Sequence, residues 1–100
     1  MLYILKSDTP ELEYQIFGIY ENLDKLLQGA NNVFKGDEWL ANKLQSEYKF
    51  SGLVFYPFAK KDLNKNDYDD RKVSIIWDSD KKQSYINPET LSLLEKANLI

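Results

Sequence analysis

"KVSIIWDSDKKQSYI", residues 72–86, decides the fold. Val73, Ile75 and Trp77 alternate with Ser74, Ile76 and Asp78, the period of two that marks a strand with one buried face. The polar run Ser79–Gln83 turns the chain, and "SYI" (84–86) returns as a short strand. Strands joined by so short a turn run antiparallel. Asn87 and Pro88 then supply an N-cap and a first helical residue, a strong helix start. Leu91, Leu94 and Ala97 or Asn98 complete a short docking helix.

Working back from this hairpin, "GLVFYPF" (52–58) reads as a further strand. Pro57 predicts that it lies at a sheet edge or a bulge, because proline cannot donate to a ladder. Before it, Leu23, Leu26, Leu27, Ala30, Val33 and Phe34 follow helical spacing from a start near Asn22. Gly29 marks a break or a close approach inside that helix. Lys35–Gly36 form a joint, and Asp37 caps a second helix with Leu40, Leu44 and Tyr48 on one stripe. "LYILK" (2–6) and "YQIFGIY" (14–20) flank a polar turn around Pro10 and predict an antiparallel hairpin. Gly18 marks a bulge or a close approach by another element.

The expected order is β-β-α-α-β-β-β-α in one domain spanning 1–100. The economical arrangement is α+β, a mostly antiparallel sheet of about five strands with helices packed on one face.

Composition limits the function. The formal charge is −3 with an isoelectric point near 4.9, so there is no basic footprint for nucleic acid. Arg71 is the only arginine and hence the only group for bidentate phosphate or carboxylate recognition. The absence of cysteine removes disulfides, thiolate chemistry and Cys-type zinc sites. With no histidine, the usual base near neutral pH and the commonest metal ligand are missing. No serine sits in a nucleophile elbow, and the four glycines form no phosphate-binding loop. The expectation is a protein that is not an enzyme and needs no cofactor. Met1–Asp8 lack a charged leader and a long apolar run, and no apolar run approaches the roughly 20 residues of a spanning helix. A cytoplasmic, full-length chain without membrane contact is expected. Abundant Lys, Asn, Ile and Tyr with scarce Arg, Ala and Gly are usual for AT-rich genomes, including low-GC bacteria and their phages.

"DLNKNDYDDRK" (62–72) is the most unusual polar stretch. From Asp62, Asn64 and Asn66 it resembles the start of an EF-hand calcium loop. The sixth position is Asp67 where the family needs glycine, and the twelfth is Val73 where it needs a carboxylate. A divalent-metal site using Asp62, Asn64, Asn66 and Asp70 is one alternative; a solvated turn is the plainer reading. An acidic nucleic-acid mimic is another, although Lys60, Lys61, Lys81 and Lys82 bring residues 60–82 to +1, against the one-sign field that mimicry requires.

"IYENLDKLLQG" (19–29) resembles the inhibitory helix of the barstar family at Glu21, Asn22, Leu23 and Asp24. That likeness implies an acidic helix capping a ribonuclease site. The family's second carboxylate falls on Gln28, and here the segment follows a hairpin instead of a helix.

Tyr56, Phe58, Tyr68, Trp77 and Tyr85 lie in or beside the C-terminal strands. Aromatic rings on a sheet can stack nucleobases, but no positive groove accompanies them, and direct nucleic-acid binding is not expected. Trp77 shares its face with Val73 and Ile75 and reads as core. The preferred expectation is a small protein-binding module with an unidentified protein partner. Its contact residues would be Asp67, Tyr68, Asp69 and Asp70, with Tyr56 and Phe58 on an exposed edge that would also serve a homodimer. An inhibitor of a host enzyme or nucleoprotein defence complex, carried by a phage or mobile element, is the specific case.

Overall fold

The computed structural model describes residues 1–58 and 72–96. β1 (Leu2–Ser7) leads through a 3-10 turn at Pro10–Leu12 to β2 (Ile16–Tyr20). Two helices follow, α1 (Leu23–Gly36) and α2 (Glu38–Tyr48). The chain then forms β3 (Leu53–Phe58), β4 (Val73–Asp78), β5 (Gln83–Ile86) and α3 (Pro88–Lys96). This is the expected order, and the fold is α+β. All neighbouring strands are antiparallel, in the spatial order β2-β1-β3-β4-β5.

The caps fall where the sequence places them. The Asn22 side chain accepts from the Lys25 amide at 2.8 Å, and that of Asn87 accepts from Glu89 at 3.0 Å. Asp37 serves both helices: its amide donates to the Phe34 carbonyl at the end of α1, and its side chain accepts from Leu40 at the start of α2. Each such cap satisfies an amide that the helix itself leaves without a partner.

One sheet face carries Leu5, Leu53, Phe55, Val73, Ile75 and Trp77, all buried. Leu26, Ala30 and Phe34 of α1 and Ala41 of α2 close over them, and Leu91 of α3 packs half-buried against the same cluster. Trp77 is the largest side chain in this core, with its ring 5.0 Å from that of Phe34. The opposite face holds a smaller cluster of Val54 and Tyr56 with Leu2 and Ile4.

Gly18 sits at the expected bulge, and its near neighbour is Tyr20 of its own strand, not another element. The β1–β2 register slips between Leu5 and Lys6, because Gly18 faces Leu5 while Ile16 faces Lys6. Phe17 is the extra residue and turns into the main core. The Tyr20 ring then lies between Gly18 and Gly29: a Cβ on Gly29 would come within 2.6 Å of the ring carbon Cζ, and one on Gly18 within 2.9 Å. Gly29 therefore marks a close approach, and α1 runs through it unbroken.

Pro57 corrects the sequence reading: β3 is the central strand, with Pro57 opposite Tyr3. The Ser7 amide bonds the Gln15 carbonyl on the β2 side, so alternation aims Leu2, Ile4 and Lys6 toward β3. Tyr56 faces Ile4, and the Pro57 nitrogen consequently points toward the β4 side. Among the described residues, β3 and β4 pair at Val54–Ser74 and Phe55–Val73.

Beyond those two pairs, side chains replace the missing strand. The Ser51 hydroxyl donates to the Ile75 carbonyl. The Gln45 amide clips the next outward residue of β4, donating to the Trp77 carbonyl at 2.9 Å and accepting from its amide at 2.7 Å. A helix side chain thus continues the hydrogen-bond pattern of a sheet seam.

Candidate protein-binding surface

Among the described residues, the α2 helix carries the most exposed aromatic side chains. At about 100° per residue, Leu40, Ala41 and Leu44 turn inward and are buried, which leaves Trp39 on the far side at 72% exposure. Lys43, one turn on, places its ammonium 5.2 Å from the Trp39 ring centre, a cation–π contact. Tyr48 stays on the inward stripe, but the helix has outrun the sheet there, and its ring is 61% exposed. Lys49 takes a left-handed conformation (φ 60°) that ends α2. The reversal brings the Phe50 ring to 6.2 Å from that of Tyr48.

These two rings wall an open groove of about 200 Å³, lined by Asp8, Thr9, Pro10, Glu11, Leu44, Tyr48 and Phe50. The turn forming the opposite wall is internally braced. The buried Thr9 hydroxyl donates to the Glu11 carboxylate, and Asp8 pairs with Lys72 at 2.8 Å. The lining contains two carboxylates and no cationic residue. Two other hollows, of about 350 and 520 Å³, lie at the β4–β5 turn and along α3. Each offers a single large exposed apolar side chain, Tyr85 or Leu93, and neither has a paired aromatic wall.

Two carboxyl groups sit below the ordinary value of 4.5. Glu11 is lowered first by the Thr9 hydroxyl and then by its own backbone amide. Glu38 is lowered first by the Lys82 ammonium that pairs with it, with a smaller contribution from the Trp77 indole. That indole N–H is buried without a hydrogen bond of good geometry, so Glu38 feels its dipole without bonding it. Because both folded values lie below the unfolded ones, their stabilisation is present above the carboxylate range and is lost as pH falls through the folded values. Glu11→Gln and Glu38→Gln are each expected to flatten the acid limb of a melting-temperature-against-pH curve. At neutral pH both changes should be small, since these side chains are solvated. An acid limb unchanged in both variants would remove the assignment.

The residues expected from sequence are dispersed. Tyr56 is only 5% exposed, inside the second cluster on the central strand. It is not part of an edge patch, because the strand that carries it has neighbours on both sides. Phe58 closes the same strand opposite Leu2, and its side chain lies outside the described part. Asp67, Tyr68, Asp69 and Asp70 lie outside the described residues, as do Asp62, Asn64 and Asn66 of the metal alternative. Among the described residues, no group of three or more His, Cys, Asp or Glu is placed to hold a metal, and no helix is long and apolar enough to cross a membrane. In the barstar-like segment, Asn22 acts as the α1 cap and Glu21 and Asp24 are exposed. Trp77 is core, as expected.

The groove residues Tyr48 and Phe50, and the exposed Trp39, do not emerge from the sequence reading. Trp39 had a legible signal, a large aromatic one position off the Leu40–Leu44 stripe. Comparison with protein-family models, curated proteins and solved structures finds no match for this chain.

Proposed function

We propose that the protein is a small non-catalytic protein-binding module that acts by covering a surface of a larger partner protein. The observation that carries this reading is the groove beside α2, where exposed Tyr48 and half-buried Phe50 face a turn bearing Asp8 and Glu11. Tyrosine and tryptophan dominate binding hot spots because they bury a large rigid area at little entropic cost. Asp8 is already paired with Lys72, so it is the Glu11 carboxylate in the lining that suits a partner inserting a lysine or arginine side chain, its stem against the rings and its charge at the rim. The net charge of −3 favours approach to a basic surface. Basic faces belong to enzymes and complexes that handle nucleic acid. Inhibition of a host enzyme or nucleoprotein defence complex by a phage- or mobile-element-encoded protein is the specific case of this proposal.

The test is co-purification from the source cell or its host, followed by affinity measurement on the captured protein. Tyr48→Ala combined with Glu11→Lys is expected to weaken binding by about tenfold or more while leaving the melting temperature near that of the wild type. A parallel variant with Asp67, Asp69 and Asp70 changed to Ser reports on the acidic stretch. Loss in that variant alone would transfer the contact from the groove to residues 67–70. Failure of the wild type to retain any stoichiometric partner would remove the proposal.

A further inference from the structure

The two edges of the sheet are not alike. At β5 the outer edge is capped: the Ser84 amide donates to the Asn31 side chain of α1 at 2.6 Å, and the Ser84 hydroxyl donates to the Leu27 carbonyl at 3.2 Å. At β2 no such cover exists among the described residues. Ile16 is 57% and Ile19 is 56% exposed, on the face away from the helices, with half-buried Ile4 directly opposite Ile19. Proteins ordinarily guard an open edge with lysine, proline or an inward-pointing charge. Residues 14–20, "YQIFGIY", contain none of these, and the bulge in β2 lies against β1.

We propose that this edge is occupied by a second copy of the chain, paired antiparallel through β2 about a two-fold axis at Ile19. The register follows from the structure. Gly18 pairs with Leu5 and Tyr20 with Tyr3, while the Ser7 amide points to β2. The main-chain groups of Gly18 and Tyr20 are therefore turned inward, and those of Ile19 outward. A two-fold axis at Ile19 sets Ile19 against its own copy on the apolar outer face, and sets Gly18 against Tyr20 on the helix face. Within Gly18–Tyr20 the paired residues then share a face, as a continuous sheet requires. A two-fold axis at Gly18 would instead oppose Phe17, which enters the core, to outward-facing Ile19. Charge agrees with the chosen register, for the nearest ionised residue, Glu21, stands opposite Phe17 and no like charges meet. The pairing extends the five-stranded sheet across two molecules and covers Ile19 of both. None of these residues lines the α2 groove, so this inference stands or falls apart from the proposed partner.

Sedimentation velocity on the purified full chain, over about 1 μM to 1 mM, tests it. The wild type is expected to pass from monomer to dimer within that range, and Ile19→Lys to raise the dissociation constant by about tenfold or more. Should the variant fold poorly, amide exchange on the wild type is decisive: the Ile19 amide must become more protected with concentration while an exposed helix-start amide such as Asp24 does not. A wild type that stays monomeric at the upper concentration overturns the proposal, as does a dimer indifferent to Ile19→Lys or exchange at Ile19 independent of concentration.

Discussion

Trp77→Ala is expected to cost about 3–5 kcal/mol and to lower the melting midpoint by roughly 12 °C or more. The side chain is 1% exposed, lies in the main cluster and stacks on Phe34. Its removal opens a hole between α1 and the sheet that neither can close without moving a fixed cap. Trp77→Phe should cost well under half as much. It keeps a ring beside Phe34 and removes an indole N–H that makes no hydrogen bond, so no partner is orphaned. Urea and thermal unfolding of both variants would check this. A loss below about 1.5 kcal/mol for the alanine variant would show that the core relaxes around the site.

Gln45→Leu is the second large effect. It fills nearly the same volume but leaves the Trp77 amide and carbonyl without their partners. Each orphaned group costs about 1–3 kcal/mol where water cannot reach it, and the seam is partly buried, so about 2–4 kcal/mol is expected. Gln45→Glu separates the two bonds. Its carboxylate can still accept from the Trp77 amide, but it opposes the Trp77 carbonyl. Protonation restores a donor, so the folded pKa of this glutamate should lie above its unfolded value. Its stability relative to wild type should then be greatest on the acid side and fall as pH rises through that folded pKa. A midpoint equal to wild type for Gln45→Leu would mean that the clip contributes nothing.

Much of the fold was legible because its signals are local. Asn22, Asp37 and Asn87 mark helix starts through chemistry confined to one turn, and the alternation of Val73, Ile75 and Trp77 needs no knowledge of the neighbours. Pro57 was read wrongly because the place of β3 at the centre of the sheet is a property of the assembled strand order, which no single stretch carries. Tyr48 continued a valid stripe, but exposure there depends on the helix outlasting the surface beneath it. The groove was hidden for the same reason. Its walls come from residues 8–11 and 44–50, which no periodicity connects. The open β2 edge required the strand order, for Ile16 and Ile19 in isolation look like any half-buried strand.

The seam beside β3 carries a consequence for β4. In an ordinary hairpin the connecting loop fixes how the two strands align. Here β4 is aligned by Gln45 and Ser51, both encoded upstream of β3, and by β5 downstream. The position of β4 is thereby held by clamps from both directions along the chain, so weakening one of them leaves the others to keep the strand in place.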